Sequence, residues 1–214
     1  MQKGRKQRYI IAYSFLCISV VVFVLLNIGI GSVSISFTDI LHAFSGHETD
    51  ATTASILFDI RMPRTAAVLI LGGALALAGY LLQTFFYNPI AGPFVLGISS
   101  GAKMVVALVM VFFMKSALSV SYADMIIAAF VGAMISMGFV LLISKKVKNM
   151  SMLIVSGVMI GYICSAITEL VVTFADDADI VNLHNWSLGS FSGMTWDHVK
   201  VMLVVVSITF MMVL

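Results

Sequence analysis

The feature that most limits what this chain can become is a series of apolar runs, each long or nearly long enough to cross a lipid bilayer. They fall at about residues 9–29, 65–87, 94–114, 122–144, 151–174 and 199–214. A helix needs roughly 20 apolar residues to cross a hydrocarbon layer ~30 Å thick. Hydrophobic residues make up 61% of the chain and charged residues 10%, whereas average soluble chains are about half apolar and a quarter charged. No water-soluble core could enclose that excess. Lipid offers no partner for backbone N–H and C=O groups, so runs of this length must satisfy them internally as helices. The reading is an all-α, polytopic integral membrane protein of about six transmembrane helices, in a single domain over residues 1–214.

The charges orient it. The first run follows the basic start "MQKGRKQR", as a signal core would. It is too long for one, and no small-x-small cleavage site follows, so it reads as a retained span. Lys3, Arg5, Lys6 and Arg8 precede that span, and Lys145, Lys146 and Lys148 lie between the fourth and fifth runs. Four crossings separate the two clusters, which puts both on one side. Positively charged loops stay in the cytoplasm, so the N-terminus is cytoplasmic. The opposite loops are acidic, with Asp39, Glu48, Asp50 and Asp59 in one and Asp176, Asp177 and Asp179 in another. The sixth run stops at "VSITFMMVL" with no basic tail, and is read as a truncation rather than a tight natural stop.

Catalytic chemistry finds no foothold. "GISSGAKM" glances at a phosphate-binding loop, but that motif needs four residues between its glycines and a hydroxyl residue after the lysine. Here three residues separate Gly97 from Gly101, and Met104 follows Lys103. His42, His47, His184 and His198 lie in or beside external loops without zinc spacing. No metal site is expected. Cys17 and Cys164 sit within apolar runs and read as packing residues.

"DIRMPRTAAVL", residues 59–69, is less easily dismissed. Arg61 and Arg64 fall outside the membrane, against the usual charge bias. They also sit at a helix N-terminus, where the dipole disfavours cations, with Pro63 suited to the first helical turn. Two readings stand: snorkelling to lipid phosphates, or docking a carboxylate-bearing partner through arginine's planar fork. Farther along, Asn88-Pro89 should end the second span and Gly92-Pro93 keep the following turn from becoming helix. Such a turn must be buried in protein or face water. Gly97 and Gly101 are spaced for close helix approach, as are Gly157 and Gly161. Glu169 lies near the outer end of the fifth span and reads as snorkelling; Lys103 either snorkels to the cytoplasm or faces a path.

The stretch "RMPRTAAVLILGGALALAGYLLQTFFYNPIAGPFVLGISSGA" resembles the signature of the iron–siderophore, haem and cobalamin uptake permeases, the membrane subunits of binding-protein-dependent ABC importers. Gln83, Asn88, Pro89, Ala91 and Pro93 match its pattern in order, and "NWSLGSFSG", with Trp186, Gly189 and Ser190, resembles its external loop motif.

The resemblance implies a permease that passes an iron–siderophore complex, haem or cobalamin from an extracytoplasmic substrate-binding protein to the cytoplasm. It implies a bacterial cytoplasmic membrane, a second permease subunit, and a cytoplasmic ABC ATPase that hydrolyses ATP, with no cofactor, catalytic site or nucleic-acid partner for this chain. Arg61 and Arg64 would dock the binding protein. Gln83, Asn88, Pro89, Pro93, Asn149 and Ser151 would form a cytoplasmic turn or gate. Gly97, Gly101, Lys103, Gly157 and Gly161 would line the path or pack helices. Family members have about ten spans, so the C-terminal part would be missing here. The alternatives are an ion-coupled secondary transporter and a non-transporting, truncated interaction protein.

Overall fold

The computed structural model describes residues 2–45, 50–113, 122–147 and 149–213. His47, Glu48 and Lys148, and the ends of the third and sixth apolar runs at Met114 and Leu214, lie outside them. Regular structure among the described residues is helical. The order is α1 (Gln2–Gly29), α2 (Phe37–Ser45), α3 (Ala51–Ser55), a π-helical turn (Ile56–Arg61), and α4 (Met62–Phe86). Then come α5 (Ile98–Leu108), a second π-helical turn (Val109–Phe113), α6 (Tyr122–Ser144), α7 (Met150–Val172), α8 (Asp177–Leu188) and α9 (Trp196–Val213).

Among the described residues, five helical stretches are long and apolar enough to cross a membrane: Arg5–Gly29, Ala51–Phe86, Ala123–Ser144, Met150–Val172 and Trp196–Val213. The third apolar run starts its helix later than expected, because residues 94–97 belong to the turn before it; the described apolar helix there is Ile98–Phe112. Gly97 at its N-cap is left-handed, with φ +72°, a conformation that stops the helix from extending backwards. The acidic loop at 176–179 also differs, since it starts a helix. Asp176 is the N-cap of α8 and Asp177 and Asp179 lie in its first turn, where negative charge suits the dipole.

The chain folds as two compact units, Met1–Ala74 with Phe191–Leu214, and Leu75–Ser190. In the first, Ile28, Ile35, Ile40 and Leu57 gather the end of α1, α2 and the π-helical turn into a small core. Most of α1 remains bare, with Ile11, Phe15 and Phe23 exposed, as a lipid-facing or partner-facing helix requires. In the second unit α5 packs on both α6 and α7. Phe86, Ala91, Leu96, Leu153, Ile154 and Cys164 form one cluster, and Val106, Met110, Val111, Ala128, Val171 and Leu183 another.

Candidate functional site

The arginines do not begin a helix. α3, the π-helical turn and α4 form one continuous helix, Ala51–Phe86, so Arg61 and Arg64 lie roughly three to three and a half turns inside it. The N-terminal dipole penalty fades within the first turn and does not reach them. Pro63 likewise lies mid-helix rather than in a first turn. Proline lacks the N–H for an i→i−4 bond, and its ring clashes with the carbonyl four residues back. The preceding π-helical turn absorbs that conflict: Met62 N–H bonds to Leu57 O, five residues back, instead of four.

Arg61 is buried, at 8% exposure. Its guanidinium donates Nη1–H to the carbonyls of Ile28 and Gly29, the latter at 3.0 Å, and Nη2–H to that of Val33. Ile28 and Gly29 close α1, whose last carbonyls lack intrahelical donors and whose dipole favours a cation; Gly29 O also accepts the Ile35 N–H at 3.3 Å, and Val33 lies in the segment beyond. The sign of the helix electrostatics is therefore the reverse of the sequence expectation. Gly31 makes the approach possible, because a Cβ there would stand 2.7 Å from Arg61 Nη2. Thr65 Oγ1 donates to Arg61 O at 2.8 Å and lies 2.9 Å from the Asn27 amide, tying α4 to α1 a second time.

Arg64 differs in kind. It is half-buried, and its Nε is enclosed yet meets no acceptor among the described residues. The structure thus separates the pair: Arg61 is committed to the fold of its own chain, and Arg64 retains donor capacity.

In the second unit the turn after α4 is tightly specified. Tyr87 takes a left-handed φ of +49°. Asn88 Oδ1 accepts the Ile90 N–H at 2.9 Å, and its carbonyl accepts that of Ala91 at 3.1 Å. Gln83 is exposed, though its carbonyl accepts the Asn88 N–H at 3.1 Å. Pro89 is exposed and Pro93 half-buried. Ala91 and Leu96, on this turn, share a core cluster with Leu153 and Ile154, which follow Asn149 and Ser151. Asn149 occupies the N-cap of α7 with extended backbone, and Ser151 is exposed in its first turn. The two proposed gate segments are therefore joined by one apolar cluster.

Three of the four glycines meet directly. A Cβ on Gly97 would lie 2.8 Å from Gly157 O and 2.8 Å from Gly161 N, and one on Gly157 would lie 2.8 Å from Leu96 Cα. Gly101 instead approaches α6, where its Cβ would fall 2.6 Å from Gly132 O. Buried Ser136 on α6 donates to Gly97 O at 2.9 Å. Small residues let membrane helices approach to backbone contact, and here they lock the turn between α6 and α7. Beside this contact an open groove of about 320 Å³ is lined by Phe94, Ser100, Tyr162 and Ser165 among others. Lys103 is half-buried one turn past Ile98 on α5, and Glu169 is exposed on α7.

The external motif begins as helix, with residues 185–188 in α8, and continues as irregular backbone from Gly189. Trp186 lies on α8 and packs against the cluster containing Val171 and Leu183. Gly189 ends that helix with φ +73°, and Ser190 is exposed beyond it. Sequence reasoning missed Asn27, Gly31, Thr65, Gly132, Ser136 and Trp196. Gly132 and Ser136 repeat a small-x-x-x-small spacing that could have revealed them.

Long apolar helices, glycine-locked crossings and irregular backbone held inside protein define a polytopic α-helical membrane protein. A family model described as the FecCD transport family matches residues 19–214, and the chain belongs to that family. It is 36% identical over 147 residues to the vitamin B12 import system permease protein BtuC of Klebsiella pneumoniae, covering 69% of this chain and 44% of that protein. It is 34% identical over 152 residues to the protein of the same name from Escherichia coli O1:K1 / APEC, covering 71% and 46%. The chain thus spans less than half the length of these relatives. A solved chain, described as an inward-facing conformation of an ABC transporter assigned to the metal-chelate type, superposes with a TM-score of 0.69 at 26% identity. That match covers 86% of this chain and 55% of the other.

Proposed function

We propose that this chain forms part of the permease of an ABC importer in a bacterial cytoplasmic membrane, moving a metal-centred chelate such as an iron–siderophore complex, haem or cobalamin. The observation that carries the reading is the family match over residues 19–214; the relatives named for vitamin B12 import support the chelate class. The partners on this reading are a second permease subunit, a cytoplasmic ATPase and an extracytoplasmic binding protein. Catalysis belongs to the ATPase.

Within that frame Arg64 is the docking cation. No acceptor in its own chain engages the Arg64 guanidinium among the described residues, so the planar fork can be offered to a partner's carboxylate. Arg61 supports it by fixing α4 against the end of α1. The Asn88–Pro93 turn and the start of α7 act as the cytoplasmic gate, moving together through their shared cluster.

Proteoliposomes carrying the assembled importer test the reading. Uptake of ferric siderophore or cobalamin is expected to require ATP and binding protein and to survive collapse of the proton gradient. Uptake driven by the proton gradient without ATP would favour a secondary transporter instead.

A further inference from the structure

The π-helical turn leaves one carbonyl that its own helix cannot serve. Met62 N–H reaches back five residues to Leu57 O; in that register the donor at position 63 would serve Phe58 O. Position 63 is proline, which has no N–H to give. Phe58 O instead accepts the indole Nε1–H of Trp196 at 2.8 Å, across 138 residues of sequence. Trp196 is the first residue of α9.

Two registers compete at this turn. In the observed one Met62 bonds to Leu57 O and Trp196 bonds to Phe58 O. In the other, Phe58 O draws the Met62 N–H into an ordinary α-helical bond and the turn loses its extra residue. One residue corresponds to about 100° of rotation about a helix axis. The switch would swing the segment before the turn relative to the segment after it, and Arg61 closes the turn with Arg64 just beyond. π-helical insertions are uncommon and concentrate at functional sites.

We propose that Trp196 is a positioning residue: by occupying Phe58 O it holds the π register and so fixes how Arg61 grips α1 and how Arg64 is presented. The effect on docking rests on the reading of Arg64 given above; the effect on register does not. Trp196 is 39% exposed, so water can partly replace the indole, and its loss shifts the register balance without unfolding the protein.

The test uses W196F, P63A and the double variant in the assembled importer, with two readouts. Hydrogen exchange of peptides covering residues 56–64 reports the register, and binding-protein affinity reports docking. W196F keeps the ring and removes the N–H. It is expected to speed exchange and weaken docking, each by about three- to tenfold, the net worth of one hydrogen bond. P63A removes the ring clash that the π-helical turn absorbs, so it should weaken the π register by itself, and the double variant should shift both readouts further than W196F alone. Unchanged exchange in W196F would overturn the proposal, as would a double variant shifted no further than W196F, which would mean that the indole merely packs. Exchange that rises in both while affinity stays constant would overturn the docking half alone.

Discussion

Gly97→Ala is expected to remove most of the folded, monodisperse protein. Two costs add. Gly97 sits at φ +72°, and a left-handed L-residue costs roughly 1–2 kcal/mol. The new Cβ would also stand 2.8 Å from Gly157 O and from Gly161 N, both backbone groups that cannot turn aside as a side chain would. Overpacking of that kind costs about 1–3 kcal/mol more. Relief would require α5 to back away from α7, which would also stretch the Ser136 hydroxyl bond to Gly97 O. Melting in detergent together with size-exclusion yield measures the effect. A variant with wild-type yield and melting temperature would show that the glycine contact is looser than the structure places it.

Arg61→Ala is expected to be nearly as damaging, for an electrostatic reason. The guanidinium serves the carbonyls of Ile28, Gly29 and Val33 in a buried setting. Hydrogen bonds to charged groups contribute about 1.5–3 kcal/mol each, and such values do not simply add. Loss of the side chain therefore leaves a helix end without its cap, and a total of about 3–4 kcal/mol is a reasonable scale. Arg61→Lys should recover only part of it, since an ammonium cannot reach three carbonyls with a planar fork. Faster hydrogen exchange around residues 27–35 and a lower melting temperature in both variants are the expected results. Wild-type exchange in Arg61→Ala would refute the capping role.

The sequence was informative where one side chain or one short spacing decides the outcome. Apolar runs marked the spanning helices because lipid admits little else. Asn88, Pro89 and Pro93 marked the turn because each restricts its own backbone. Gly97, Gly157 and Gly161 were flagged by spacing, yet only the fold shows that they meet one another. The arginines show the opposite limit. Their local surroundings implied a helix start, because a proline beside an apolar run commonly marks one. A π-helical turn admitted the proline mid-helix, and the carbonyls that hold Arg61 come from a segment 28 to 33 residues away. Trp196 is more remote still, and nothing in its own neighbourhood signals a bond to Phe58.

The function proposed above divides the labour between the two arginines: Arg61 holds the fold and Arg64 meets the binding protein. The most direct measurement is binding-protein affinity for the assembled permease carrying Arg64→Glu, with and without acid-to-base changes on the binding protein. About ten- to hundredfold weaker docking is expected in Arg64→Glu, with an unchanged melting temperature and recovery with one compensating swap. Docking that ignores Arg64→Glu, or a loss that no swap restores, would contradict it.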